Sequence, residues 1–221
     1  MKKFLIIFFL LIANIILFNK QLVELYCSYK LSNWVEKKVT FDKFNIDYPD
    51  SITISGLKII NLNPVYYEFI FEAEKIDINF NLKTLLFDNL IIINHLRIEK
   101  PKFFLELIEK QTKSKVSIFE DNIGLAKKIN ENLPNKIWPT KPNDVNFLIL
   151  KSNIHDGKAY IKVSSFSDFF ETSLSDFAFA NVGNYKEHQH YKSVLKIMLF
   201  DIYARIKNSN LKKLLKEIYN F

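Results

Sequence analysis

Apolar and polar residues alternate in four successive segments between Val39 and Ile108, with little Gly or Pro inside them. Successive side chains of a strand point to opposite faces of a sheet, so this alternation predicts strands with one buried face. Turn-forming residues separate the segments at Pro49–Ser51 and Asn61–Pro64. The predicted strands are Val39–Tyr48, Ile52–Ile59, Phe69–Phe80 and Leu90–Glu99; the alternation resumes after Pro101 at Phe103, Leu105 and Leu107, and Asn81 is predicted to cap a short helical turn over residues 81–87.

The alternation changes phase once in each of three strands, near Asp42, Gly56 and Glu74. A slip of one residue would turn the apolar side chains to the wrong face of the sheet. A β-bulge at each position would restore the face and bend the strand. The pattern therefore predicts a strongly curved antiparallel sheet in an α+β fold. The alternative explanation is that both faces of the sheet are partly covered.

The pattern changes after Ile108. Ser117–Glu120 has the form of a helix-capping box, and an apolar stripe then predicts an inserted helix near residues 118–133, ended by Pro134. Phe147–Ile154 and Ala159–Val163 predict a hairpin around Asp156-Gly157, because this dipeptide suits a tight turn. Phe169–Val182 adds a further strand that ends at Gly183.

The last segment, Ser193–Tyr219, predicts a basic amphipathic helix. Its apolar positions have helical spacing and are Leu195, Met198, Leu199, Ile202, Ile206, Leu211, Leu214, Leu215 and Ile218. Lysines and Arg205 dominate the polar side. Such a helix can lie on an anionic membrane surface, but we favour the alternative that it covers an open face of the sheet.

The N-terminal segment predicts a membrane anchor. Lys2 and Lys3 precede the apolar run Phe4–Phe18, and no small-residue cleavage site follows it, which favours a retained helix over a cleaved signal peptide. The helical pattern continues through Leu22, Leu25, Tyr26 and Tyr29 to about residue 36. The anchor residues are Phe4, Leu5, Ile6, Ile7, Phe8, Phe9, Leu10, Leu11, Ile12, Ile15, Ile16, Leu17 and Phe18. The flanking lysines predict a cytoplasmic N-terminus and an external body, which in a bacterium with two membranes lies in the periplasm.

Composition and charge narrow the function. The formal net charge is +7, but the lysines are spread along the chain without an Arg-rich cluster or a recognition motif, which argues against nucleic-acid binding. Cys27 is the single cysteine, so no intramolecular disulfide holds the fold. Tyr26 stands before it, where a lipoprotein signal requires a small residue, so we interpret Cys27 as an ordinary helical cysteine.

No catalytic site, metal site or cofactor is predicted. His188 and His190 belong to a polar stretch before the last helix that we expect to be exposed, while His95 and His155 are distant in sequence. Asp156 is explained by its turn. The chain holds four glycines and no phosphate-binding glycine loop or nucleophile elbow. We therefore expect a protein that is not an enzyme.

A series of short motifs runs in a fixed order from Gly56 to Glu106. The motifs are Gly56-Leu57, Asn63-Pro64, Ala73-Glu74-Lys75-Ile76-Asp77-Ile78, Asn81-Leu82-Lys83-Thr84-Leu85-Leu86, Ile98-Glu99-Lys100-Pro101 and Phe104-Leu105-Glu106. This order resembles the N-terminal portion of AsmA-like proteins, well over residues 4–108 and loosely over 145–183. The chain is shorter than the long members of that family and lacks the many repeats needed to bridge two membranes.

The resemblance implies an inner-membrane-anchored periplasmic protein whose curved sheet forms an apolar groove for phospholipids. The side chains expected to line it are Ile52, Ile54, Phe69, Phe71, Ile76, Ile78, Phe80, Leu96 and Ile98. The alternative is a structural or assembly protein of the envelope, whose sheet face is covered and which docks on a protein partner. The expected organisation is an anchor helix with its extension (1–38), the curved sheet (39–185) and the C-terminal helix (186–221).

Overall fold

The computed structural model describes residues 24–33, 37–47, 50–81, 83–84, 90–111, 117–122, 146–183 and 191–219. Within these ranges, residues 24–33 form helix α1 and the other elements are eleven strands, a helical turn at 83–84 and two longer helices. The strands are β1 (Val39–Thr40), β2 (Lys43–Asp47), β3 (Ser51–Ile60), β4 (Phe69–Phe80), β5 (Leu90–Glu99), β6 (Lys102–Gln111), β7 (Ser117–Asp121), β8 (Asn146–His155), β9 (Lys158–Val163), β10 (Phe169–Ser173) and β11 (Phe177–Gly183); the helices are α2 (Tyr191–Arg205) and α3 (Ser209–Tyr219).

The described strands form one strongly curled, half-barrel sheet. Its main path runs β10-β9-β6-β4-β5-β8-β11; β3 lies along the other side of β4 and pairs with β1 and β2, while β7 pairs with β6. The α+β class and the curvature are as predicted. The sheet is mixed, however, because β5 pairs with β8 and β6 with β9 in parallel. The expectation of an antiparallel sheet was therefore wrong, since alternation reports which face is buried but not strand direction.

Consecutive short strands are halves of long, interrupted paths. Along β5 and β6 the parallel partner's number is 56 higher at both ends, from Leu90 opposite Asn146 to Leu107 opposite Val163. β1 and β2 likewise keep one register along β3. β10 and β11 keep one register along β9 and β8. The interruptions fall side by side, along a line that we call the crease: Asp42, Gly56, Glu74, Lys100, Asp156 and Ser175.

The crease explains the phase changes in the sequence. The interruptions near Asp42, Gly56 and Glu74 are where the alternation slips, but the pairing register does not shift there. Each neighbouring strand carries its extra residue at the same level, so the predicted bulges are replaced by one shared bend. Shifts of register lie instead between Ile59 and Ile60 and between Asn79 and Phe80.

Two other predictions were wrong. β8 and β9 do not form a hairpin with each other; β8 pairs with β5 and β11, and β9 with β6 and β10. Asp156-Gly157 lies at the crease, and the hairpin turn lies between β9 and β10, at residues 164–168. Ser117–Asp121 forms strand β7, so no helix begins at residue 118. The remainder of the predicted inserted helix, 123–133, lies outside the described residues.

The terminal segments form helices that pack on one face of the sheet. The predicted C-terminal helix is two helices, α2 and α3, separated by residues 206–208. Asn81 Oδ1 accepts hydrogen bonds from the backbone N–H groups of Lys83 and Thr84 at 3.1 and 3.3 Å, which confirms the predicted cap. In the part of the chain that the structure describes, no helix has the length and hydrophobicity of a membrane span. The proposed anchor, Phe4–Phe18, lies outside the described residues.

Candidate functional site

One face of the sheet is apolar across all its long strands. Directly paired residues share a face, and two transverse rows illustrate this arrangement. We call the row Ile46, Ile52, Ile78, Leu96, Ser152 and Phe179 the outer row, and the row Phe44, Ile54, Ile76, Ile98, Ile154 and Phe177 the inner row. Beyond the crease, the same face continues through Phe71, Phe103, Leu105 and Leu107.

The apolar face is closed at one end and partly open at the other. Leu107 and Val163, at the far end, are completely buried. In the inner row Phe44, Ile54, Ile76 and Ile154 are buried, and Ile98 and Phe177 are half-buried. In the outer row Ile46 is 50% exposed and four neighbours are half-buried, while Ser152 is buried. The described structure therefore exposes progressively more apolar surface towards the outer row.

Two separate helical covers produce this gradient. Buried residues of α2 and α3, among them Leu199, Leu211 and Tyr219, pack against Leu105, Ile161 and Val163. Near the opposite edge of the same face, Cys27 and Leu31 of α1 pack against the cluster around Val39 and Ile54. Ser28 Oγ donates to the Val39 carbonyl at 2.6 Å and Ser32 Oγ accepts from the Val39 N–H at 2.8 Å, which fixes α1 to β1. The outer row receives the least cover.

The nine groove candidates lie together on β3, β4 and β5, but they differ in burial. Ile54 and Ile76 are buried core residues, whereas Ile52, Phe71, Ile78, Leu96 and Ile98 are half-buried. The Phe71 ring lies 5.1 Å from the Phe103 ring, centroid to centroid, where the two cores meet. Phe69 and Phe80 are half-buried at the two ends of β4, beyond its register shifts. The structure thus brings the other seven candidates onto one surface, of which the outer row is the accessible part, whereas Phe69 pairs with Ile60 and its ring lies 5.3 Å from the Lys58 ammonium group on the polar face.

The opposite face of the sheet is polar and carries ion pairs along neighbouring strands. The pairs are Lys75–Asp77, Arg97–Glu99, Lys100–Glu74, Lys102–Glu72 and Lys158–Glu171, with N–O distances of 2.7–3.4 Å. Most of these side chains are substantially exposed, so each pair contributes little to stability. Because these pairs make this face polar, an apolar ligand would bind to the opposite, apolar face of the sheet.

A buried carboxylate interrupts this polar face. Glu106 has no exposed surface, and its carboxylate accepts backbone N–H bonds from Tyr66 and Tyr67 at 2.8 and 2.6 Å, and a longer one from Val65 at 3.4 Å. Asn122 Oδ1 accepts from the Glu106 N–H at 3.0 Å. Glu106 therefore holds the loop between β3 and β4 against the sheet.

Lys162 is the residue paired with Glu106 on the neighbouring strand, and it is also buried. Its ammonium group donates to the carbonyl oxygens of Phe166 and Ser167 in the β9–β10 turn. It also lies 5.3 Å and 4.7 Å from the ring centroids of Tyr66 and Phe169. Stacked rings of Phe104 and Tyr160 continue the aromatic layer beside it. Nearby polar and aromatic partners thus compensate the buried charges of Glu106 and Lys162, as the burial of charged groups requires.

Sequence reasoning missed Glu106 and Lys162 as buried residues. Both occupy polar positions of alternating strands, which predicts solvent exposure. The burial of Glu106 comes from the loop 61–68, which is distant in the sequence, and that of Lys162 from the turn 164–168, which follows its own strand and folds back over it. Alternation within a strand contains no signal for such a cover.

The polar groups form local structural contacts. His155 Nδ1 and Asp176 Oδ2 lie 3.0 Å apart, and the Asp156 N–H donates to Asp176 at 3.1 Å. These hydrogen bonds hold the pKa of Asp176 below its usual value. They also connect the β8–β9 path to the β10–β11 path at the crease. No group of three or more potential metal ligands occurs among the residues that the structure describes. His95 is exposed on β5, and His188 and His190 lie outside the described residues.

Among the tyrosines that the structure describes, Tyr67 and Tyr219 have pKa values that rise because of burial. Burial is the largest cause for Tyr67, and the charges of Glu106 and Tyr160 add to it, raising its pKa to about 12. Burial also raises the pKa of Tyr219 well above its usual value, with a further contribution from the neighbouring carboxylate of Asp121. Both hydroxyls stay protonated at neutral pH.

Comparisons of the chain with protein-family models, with curated proteins and with solved structures found no match.

Proposed function

We propose that the protein is a membrane-anchored lipid-handling protein that binds the acyl part of a phospholipid at the outer row of its apolar face. The observation that carries the proposal is the partial exposure of Ile52, Ile78, Leu96 and Phe179 in one transverse row, in which the buried Ser152 is the single polar residue. Acyl chains require a continuous dry surface and no catalytic group. The buried inner row provides the floor of such a surface.

The exposed side of α1 supports a location next to a membrane. Leu25, Tyr26 and Tyr29 are all more than half exposed, while Cys27 and Leu31 face the sheet. Tyrosine is enriched at the membrane–water interface, where its ring contacts lipid and its hydroxyl contacts water. Six residues separate this stripe from the apolar run Phe4–Phe18 in the sequence. The proposal places the N-terminus in the cytoplasm, the anchor in a bacterial inner membrane and the sheet in the periplasm.

Lipid retention by the full chain tests the proposal. Native mass spectrometry after extraction in a mild detergent should show bound phospholipid in the wild type. Leu96→Trp fills the outer row and should reduce the lipid-bound fraction several-fold. His95→Trp is the matched control, because His95 is the adjacent residue, is exposed and lies on the opposite face. Lipid-free wild type, or equal lipid retention in both variants, would contradict the proposal.

A second candidate function, an assembly protein that docks on an envelope protein, is favoured by a separate observation. Leu62, Val65, Tyr66 and Phe169 form exposed apolar positions on the otherwise polar face, above Glu106 and Lys162. The rings of Tyr66 and Phe169 lie 6.2 Å apart in an edge-to-face arrangement. Contiguous exposed apolar side chains often mark a protein contact.

Photo-crosslinking distinguishes the two candidates in intact cells. A photoreactive side chain at position 96 should form lipid adducts if the outer row binds phospholipid. The same side chain at position 169 should form a discrete protein adduct if the exposed apolar positions dock on a partner. Position 95 is the control for random collision. Protease accessibility of the C-terminus tests the topology, since a cytoplasmic C-terminus contradicts the periplasmic placement.

A further inference from the structure

Helix α2 has apolar residues on two opposite sides. Met198, Leu199, Ile202 and the following Ile206 are buried against the sheet. On the outward side Ile197 is 45% and Phe200 57% exposed. A helix that only covers a sheet needs one apolar stripe, so the outward residues call for a separate explanation.

The outward residues follow helical geometry. Ser193, Ile197, Phe200 and Ala204 are spaced by four, three and four residues, which places them on one stripe, and all four are exposed. The Phe200 and Tyr203 rings contact each other at 6.1 Å on this helix. Ile197, Phe200 and Ala204 therefore form a narrow apolar strip that runs along the outside of α2.

The C-terminal segment that contains this strip carries a net positive charge. Residues 191–219 contain seven basic and two acidic residues, a net +5 out of the chain's +7. One of the acidic residues, Asp201, accepts hydrogen bonds from Ser175 and from Arg205, so it is committed to the junction with the sheet. Lys196, Lys207, Lys213 and Lys216 are exposed on α2, on the segment after it and on α3.

We propose that α2 and α3 dock on the surface of an anionic lipid bilayer, with Ile197 and Phe200 entering the interface and the lysines contacting phosphate groups. Exposed apolar side chains on a lysine-rich helical segment are what an anionic interface recognises. The inference deepens the proposed lipid handling, on which it rests, by naming the surface that brings the apolar face to the membrane. α1 and α2 pack on the same face of the sheet, so their exposed apolar stripes belong to one side of the protein.

The charge argues against a second copy as the occupant. A symmetric dimer places the same patch of both chains against each other. Here that arrangement would bring two segments of net +5 together around a small apolar strip. An anionic bilayer neutralises the same charge, so charge complementarity selects the lipid surface.

The test measures depth at one position in the full chain. Cys27→Ser removes the native thiol, and Phe200→Cys carries an environment-sensitive fluorophore in chains reconstituted into phosphatidylcholine vesicles. Bilayers with brominated acyl chains, with and without about 30% phosphatidylglycerol, report contact by quenching. Ala178→Cys is the matched probe, because Ala178 is exposed on β11 and shares the polar face with its partner Asn153.

We expect quenching at position 200 to exceed that at position 178 by about threefold or more in the anionic vesicles. Quenching should decrease at high salt, which screens the lysines. Lys207→Glu with Lys213→Glu should abolish the excess, whereas Lys43→Glu with Lys151→Glu, exposed elsewhere, should preserve it. Equal quenching at both positions, equal quenching in neutral vesicles, or a lipid-independent response that grows with protein concentration would overturn the proposal. Loss of lipid retention in Leu96→Trp leaves this readout unchanged, so the two proposals fail separately.

Discussion

Lys100 and Asp156 occupy equivalent positions in two neighbouring parallel strand paths, and both have left-handed backbones, with φ of 48° and 54°. The Lys100 N–H donates to the carbonyl of His155 at 2.9 Å, so the two bends are hydrogen-bonded together. Gly56, two strands away on the same line, has φ of 63°. An extra residue at one level in every strand keeps the apolar residues on one face while the sheet bends as a unit.

Gly56→Ala should destabilise the fold, because a side chain at this position meets two obstacles. A left-handed backbone is unfavourable for an L-residue, and the added Cβ would clash with the carboxylate of Asp42. We expect the free energy of unfolding to fall by about 2 kcal/mol, measured by chemical denaturation of the full chain in mild detergent.

Two further variants separate the backbone effect from the steric one. Asp42→Ala combined with Gly56→Ala should restore the steric part of the loss only, since the left-handed backbone remains. Asp156→Gly should increase stability by up to about 1 kcal/mol, because glycine adopts φ of 54° without strain. If Gly56→Ala had the same free energy of unfolding as the wild type, the prediction would be wrong, because the crease would then tolerate a right-handed backbone at position 56.

Glu106→Gln should loosen the loop between β3 and β4. The substitution keeps the size of the side chain but replaces one acceptor oxygen by an N–H2 donor that faces backbone N–H groups. The lost charge-assisted bonds should lower the free energy of unfolding by about 2–3 kcal/mol. Faster hydrogen exchange at the Tyr66 and Tyr67 amides reports the loop directly.

Glu109→Gln is the control for Glu106→Gln. Glu109 is exposed near the end of the same strand, so its substitution should change the free energy of unfolding by less than about 0.5 kcal/mol. Unchanged exchange at Tyr66 in Glu106→Gln would contradict the role assigned to the carboxylate.

Much of the sheet follows from alternation alone. β4 and β5 have the predicted bounds, Phe69–Phe80 and Leu90–Glu99, and the phase changes near Asp42, Gly56 and Glu74 lie on the crease. The periodicity succeeds because a strand must keep its apolar side chains on one face. It also succeeded for α2 and α3, whose buried residues follow the predicted helical positions except for Tyr219, which was not predicted.

The predictions that failed depend on distant parts of the chain. Asp156-Gly157 has the local chemistry of a hairpin turn, but β5 and β6 provide parallel partners that keep β8 and β9 in one path. Ser117–Glu120 has the local form of a helix cap, yet pairing with β6 makes it a strand. Glu106 is polar in pattern and buried in fact, because the 61–68 loop covers it. Long-range pairing overrides local propensity at all three places.

Asp201→Asn should weaken the junction between α2 and the sheet in a pH-dependent way. Burial acts to raise the pKa of Asp201, but hydrogen bonds from Ser175 and Arg205 outweigh it and lower the pKa below its usual value of 3.8. The stabilisation is therefore present above pH 3.8 and lost as the pH falls through the lower folded-state pKa. We expect a loss of about 1–2 kcal/mol at pH 7 that disappears at strongly acidic pH, in denaturation curves measured at both. Glu217→Gln, exposed on α3, should show no such dependence.

Tyr67→Phe should protect the protein at alkaline pH. Burial, followed by the charges of Glu106 and Tyr160, raises the pKa of Tyr67 from 10.0 to about 12, so the unfolded chain releases this proton first. The stabilisation is present below pH 10 and is lost between pH 10 and 12 as the pH rises. Phenylalanine removes this contribution, and the fall in the free energy of unfolding over that interval should become shallower; the remaining slope includes Tyr219, whose pKa is also raised. At pH 7 the variant should be as stable as the wild type or more so, because the Tyr67 hydroxyl is buried with no hydrogen-bond partner in the described structure. Chemical denaturation at pH 7 and pH 11 tests this prediction. If the free energy of unfolding fell as steeply with rising pH as in the wild type, Tyr67 would not be the source of this contribution.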